Sequence, residues 1–144
     1  MCGFTLIELI VVLAIIGLVL GLFAAYRPPW SAALSLKGTA AELAEALRLA
    51  RAEAIGRDRP VEFALDLAQH RYRVGDAPAR ALPPHLAIRL LTITLERRGP
   101  EGGAIRFNPD GSSTGGRIAL SSGARTIAVG VDWLTGRVTV AAMR

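Results

Sequence analysis

Residues 4–25 read FTLIELIVVLAIIGLVLGLFAA, and Glu8 is the only charged side chain among them. A helix over residues 6–26 is about 31 Å long at 1.5 Å per residue, which matches the ~30 Å hydrocarbon core of a bilayer. The stretch is therefore predicted to cross a membrane. A cleaved secretory signal fits it poorly, because such signals have a shorter apolar region that follows basic residues and closes on a small-x-small site. Here only Met1, Cys2 and Gly3 come first, with no basic residue among them.

An ordinary membrane anchor explains the hydrophobicity but leaves Glu8 unaccounted for. A carboxylate in a spanning segment costs about 2.5–3.5 kcal/mol at the bilayer centre and less near an end, so it calls for a cationic partner. If the chain were cut between Gly3 and Phe4, the new amino group would lie one helical turn before Glu8. It could neutralise the acid within one helix or between neighbouring subunits.

Gly3-Phe4-Thr5-Leu6-Ile7-Glu8 resembles the class III signal of type IV pilins and type II secretion pseudopilins. The resemblance implies that a prepilin peptidase cuts after Gly3 and methylates the new N-terminus at Phe4. It also implies that Glu8, fifth in the mature chain, guides assembly by pairing with another subunit's N-terminus. Leaders of that family carry basic residues, which Met1-Cys2 lacks, so either the leader is short or the natural start lies upstream. Arg27, just beyond the span, runs against the family's orientation by the positive-inside rule, and the orientation is taken from the resemblance.

Downstream, Pro28-Pro29 should kink or interrupt the helix. Leu36, Ala40, Leu43, Leu47, Ala50 and Ala54 then recur at spacings of three and four, an apolar stripe on an amphipathic helix. Thr39 and Glu42 fit a capping box, so the helix either restarts after Gly38 or runs unbroken from Trp30 to Arg57, with Gly56 and Pro60 ending it.

From Pro60 the period becomes two. Val61, Phe63, Leu65 and Leu67 alternate with more polar positions, and residues 71–74 are a hairpin partner. Residues 77–84 read as a proline-rich loop. Leu86, Ile88 and Leu90 alternate, then Leu91, Ile93 and Leu95 take the opposite phase, predicting a bulge near Leu90-Leu91 and a strand shared by two sheets. Further strands are expected at residues 104–107, 117–120, 126–132 and 137–141, the last two joined about Leu134-Thr135-Gly136.

The fold class is thus α+β, with a long N-terminal helix packed on an antiparallel sheet or small sandwich. The expected divisions are a leader at 1–3, a transmembrane and assembly helix at 4–27, an amphipathic continuation at 28–59 and a periplasmic β domain at 60–144.

Residues 43–61 (LAEALRLARAEAIGRDRPV), 105–113 (IRFNPDGSS), 116–118 (GRI) and 131–138 (VDWLTGRV) resemble the H-type minor pseudopilins of type II secretion and their FimT-like pilin relatives. That likeness implies a structural subunit of a periplasmic pseudopilus in the inner membrane, with other pseudopilins, prepilin peptidase and membrane lipid as partners and secreted cargo as a further candidate. The alternative is a FimT-like minor pilin that binds DNA during uptake. Its support is the +5 net charge and a pI near 10.6, carried by arginines with Lys37 as the only lysine. Those arginines form no continuous block, and a solvated face accounts for them.

No catalytic residue, metal or cofactor is expected. Residues 111–116 (GSSTGG) lack the lysine of a phosphate loop and precede a strand, and Ser112, Ser113, Ser121 and Ser122 have no evident base. His70 and His85 are expected at the surface. Trp30 suits the membrane interface or packing, and Trp133 suits packing or a subunit contact. Cys2 alone permits no internal disulfide.

Overall fold

The structure, a computed structural model, describes residues 5–25, 29–91 and 102–143. The chain divides into two compact units, Met1–Ser31 and Ala32–Arg144.

The first unit holds α1 (Leu6–Ala25), whose apolar side chains over residues 6–24 are exposed. The break expected at Pro28 lies outside the described residues. Pro29 opens the next helix, where its missing N–H is no loss because the first turn has no acceptor for it.

That helix, α2 (Pro29–Gly56), passes through Gly38 without interruption. Of the two alternatives the unbroken helix holds, and a restart capped by Thr39 is set aside. Thr39 sits within the helix and is buried, on the face that carries Leu36, Ala40, Leu43, Ala44, Leu47, Ala50 and Ala54 into the core. The helix ends at Gly56, as expected, and Asp58 beyond it takes the left-handed conformation at φ 48°. The Asp58 N–H then reaches Ile55 O at 3.4 Å and the Arg59 N–H reaches Ala54 O at 3.3 Å, the paired bonds of a Schellman ending.

Two antiparallel four-stranded sheets follow. The first comprises β1 (Val61–Asp66), β2 (Arg71–Val74), β3 (Arg80–Ala81) and β5 (Gly102–Phe107), in the order β3-β2-β1-β5. The second comprises β4 (Ala87–Leu91), β6 (Gly116–Ser122), β7 (Arg125–Val131) and β8 (Val138–Met143), in the order β4-β6-β7-β8. Residues 77–84, expected as loop throughout, contain the two-residue β3, which lies at the edge against β2 and so needs only a brief ladder. Ile93 and Leu95, the second half of the expected bulged strand, lie outside the described residues.

Period-two burial sets the register. Val61, Phe63 and Leu65 point inward opposite Phe107, Ile105 and Gly103, and Ile118 and Leu120 face Val129 and Ile127. The inward faces of both sheets and the α2 stripe form one hydrophobic cluster. Burial of a single leucine there is worth about 1.5–3 kcal/mol.

Candidate functional site

Glu8 stands in the first turn of α1. Thr5, just before the helix, accepts the Glu8 N–H on its backbone carbonyl at 3.1 Å and on Oγ1 at 3.4 Å. Thr5 is thus the N-cap and Glu8 the third helical residue, a threonine-x-x-glutamate pattern that the sequence displays openly. The acid also lies at the positive end of the helix dipole, where a carboxylate is stabilised. Sequence reasoning placed a capping box at Thr39 and missed this one.

Of the predicted processing and assembly residues, Glu8 is exposed at the start of α1, while Gly3 and Phe4 lie outside the described residues. Over residues 6–24 the mean hydropathy is 3.0 and no side chain is buried. A surface of that kind requires lipid or other apolar helices around it.

The second unit presents a different feature at the β7–β8 connection. Asp132 Oδ1 accepts the Leu134 N–H at 3.1 Å, the Thr135 N–H at 2.8 Å and the Thr135 hydroxyl at 2.8 Å. These bonds, from Thr135 foremost, hold the Asp132 carboxyl below the usual carboxylate range. The Gly136 N–H closes the turn on Asp132 O at 2.9 Å. Arg51 of α2 reaches the neighbouring loop, donating from Nε to Gly111 O at 3.2 Å. Trp133 and Leu134 project from the turn, each 63% exposed. Of the two roles expected for Trp133, core packing is thereby removed and a subunit contact is left.

Asp110 organises the loop before β6 in the same manner. Its Oδ1 accepts the Ser112 hydroxyl at 2.6 Å and the Ser112 N–H at 2.9 Å, which lowers its pKa. The serines of residues 111–116 therefore serve a turn. His85 is exposed, as expected, and its Nε2 lies 3.1 Å from Ser35 Oγ on α2. His70 departs from expectation: it is half-buried in the β1–β2 turn at φ 46°, and its Nδ1 has no hydrogen-bond partner.

Four ion pairs join described residues. Arg48 pairs with Glu45, Arg59 with Asp76 at 3.5 Å, Arg71 with Asp66 at 3.7 Å and Arg106 with Glu62 at 3.8 Å. Four arginines are thus locally paired, one on α2 and the others on strands and turns, while the net positive charge stands.

Comparison with known proteins places these features. Residues 39–135 match the profile of the family described as Type II transport protein GspH, and residues 1–24 match the prokaryotic N-terminal methylation motif. The chain is 32% identical over 142 residues to Type II secretion system protein H of Xanthomonas campestris pv. campestris, covering 99% of this chain and 84% of that protein. Among solved structures, the type IV minor pilin FimU of Pseudomonas aeruginosa superposes with a TM-score of 0.60 at 16% identity, covering 81% of this chain and 98% of that one. The minor pseudopilin EpsH from the Type 2 Secretion System of Vibrio cholerae gives a TM-score of 0.59 at 14% identity, covering 75% and 97%.

Proposed function

The chain belongs to the GspH family of type II transport proteins, and from that premise we propose how its two units divide the work of a minor pseudopilin. It is a structural subunit that assembles with other pseudopilins in the type II secretion filament. The fold alone does not choose between secretion and pilus, since FimU and EpsH superpose almost equally well. The family match over residues 39–135 carries the choice, and it disfavours the FimT-like reading.

In our reading α1 crosses the inner membrane once and the β-sheet unit lies in the periplasm. Prepilin peptidase cuts between Gly3 and Phe4 and methylates Phe4, a step supported by the methylation-motif match over residues 1–24. The freed amine then pairs with Glu8, its own or a neighbour's, so that a carboxylate costly in lipid becomes part of the assembly contact. The role is non-catalytic, and cargo meets the periplasmic unit.

Intact-mass measurement and N-terminal sequencing of the protein from membranes with active peptidase test this. The expected terminus is N-methylated Phe4, and Gly3→Leu should leave an uncut precursor. A retained leader on the unsubstituted chain would overturn the processing step. DNA uptake predicts retention on DNA that weakens steeply as salt rises; the pseudopilin reading expects none at physiological salt.

A further inference from the structure

An open cleft of about 400 Å³ lies between α2 and the β7–β8 turn, lined by Arg48, Arg51, Thr135, Gly136, Arg137 and Val138. Three guanidinium groups from two elements thus share one concavity. Arg48 and Arg51 are three residues apart on α2 and so occupy one helix face. Arg48 is engaged by Glu45, an exposed pair of small energetic consequence. Arg51 spends Nε on Gly111 O, and neither it nor Arg137 has a carboxylate at ion-pair distance among the described residues. The cleft therefore has unspent N–H donors and a net positive charge.

The frame around it is stiff. Asp132 fixes the turn through three hydrogen bonds, and Gly136 is wedged between Gly111 and Arg51. A binding surface that is already ordered loses little entropy when it is filled. At the tip of the same turn, Trp133 and Leu134 expose their side chains. Beyond them opens a second hollow of about 820 Å³, whose lining includes Trp133, Leu91 and Arg117 and shares Thr135 and Arg137 with the first.

We propose that the 132–137 turn and the adjoining face of α2 form a docking surface for another filament protein. The partner presents an acidic side chain flanked by apolar residues; its carboxylate enters the arginine cleft and its apolar neighbours cover Trp133 and Leu134. Guanidinium forks match carboxylates bidentately, and tryptophan and arginine are the residue types that dominate interface energetics. A nucleic-acid backbone suits the surface less well. It needs an unbroken stripe of cations, whereas here Glu45 pairs with Arg48, and Arg137 lies near enough to Asp132 to help the Thr135 hydrogen bonds lower its pKa. The inference rests on the pseudopilin reading, because that supplies the neighbouring subunit.

Photo-crosslinking in cells that assemble the filament tests it, with p-benzoylphenylalanine in the full chain at Leu134 and, separately, at Ile16 in α1. Leu134 should crosslink to an identified filament subunit, and Arg48→Glu with Arg137→Glu should reduce that product at least about tenfold while Ile16 crosslinks persist. Both arginines are exposed, and Arg51, which holds the loop, is left intact. Changing the partner's contacting carboxylate to arginine should restore the product with the charge-reversed chain. Leu134 products that ignore charge reversal, or that contain lipid or DNA in place of a subunit, overturn the docking surface alone. Loss of Ile16 products from the unsubstituted chain overturns the filament reading along with it.

Discussion

Gly136 has a φ of +63°, and a Cβ there would lie 2.2 Å from Gly111 O and 2.8 Å from Arg51 Nε. Backbone conformation and space both demand glycine, so Gly136→Ala should cost about 3 kcal/mol by combining left-handed strain with a clash against main chain. Equilibrium unfolding of the two proteins side by side measures it, and a loss below about 1 kcal/mol would contradict the geometry. Tyr72 gives a pH signature. It is buried, stacks on Phe63 with ring centroids 5.5 Å apart and donates to Glu42 Oε1 at 2.7 Å. Burial first, and then the bond to Glu42, pushes the phenol up to about 12. A raised folded-state pKa means that the native state holds the proton more tightly than the unfolded chain, whose phenol titrates near 10. This contribution is therefore complete below pH 10 and lost as pH rises from there through about 12. Tyr72→Phe should flatten that part of the stability profile; an unchanged alkaline slope would show that other groups set it. Neither effect was legible in the sequence. Gly136 read as a turn residue, but its contact with an arginine 85 positions earlier exists only in the tertiary structure, and Tyr72 read only as a strand position.

Gly38 lies inside α2, exposed, with nothing within 4 Å of a Cβ placed on it. Alanine there removes backbone freedom from the unfolded chain at no steric cost, so Gly38→Ala should stabilise the domain by about 0.5–1 kcal/mol. A rise in the unfolding midpoint reports it. A fall would mean that the helix needs glycine here for a neighbour not yet bound. The glycine also shows which elements the sequence made readable. Apolar spacing fixed the buried face of α2, and alternation fixed β1 and β2, because each period is imposed locally by helix or strand geometry. Signals for ends were weaker. Thr39-x-x-Glu42 had the composition of a capping box but lay on the core-facing stripe, where burial keeps the helix going. Gly56 marked the end of α2, but the left-handed position that closes it fell two residues later, on Asp58, which tolerates that region. The edge strand β3 had no pattern of its own, since two residues cannot show a period. Thr5-x-x-Glu8 was visible and was passed over because the membrane cost of the acid drew attention away from its capping geometry.

For the whole molecule, the sequence left open whether the strands formed one sheet or two, because pairing such as Val61 with Phe107 joins residues far apart in the chain. Its assembly signal was concentrated in one acid, and here structure and family reading make competing demands on the same residue. Thr5 caps α1 by accepting the Glu8 N–H, and Glu8 stands at the third position of that threonine-x-x-glutamate pattern, at the positive end of the helix, which is a local role; the proposed pairing with the amine of Phe4 is a role between subunits. Glu8→Ala removes both, and because it deletes an acid from an apolar helix it should insert in the membrane at least as well as the unsubstituted chain. Glu8→Gln separates them, since glutamine serves at the third helical position of a capping box but carries no charge. If capping were the whole purpose of Glu8, the glutamine variant would enter filaments normally. If the negative charge recruits a neighbour's amine, Glu8→Gln should fall as far as Glu8→Ala, by about tenfold or more in filament-incorporated protein at equal membrane levels. A single lost charge-assisted contact of about 1.5–3 kcal/mol is enough for that. Glu8→Asp, which keeps the charge on a shorter arm, should recover part of the incorporation. The order aspartate above glutamine, with glutamine level with alanine, is the pattern that only a charged partner produces.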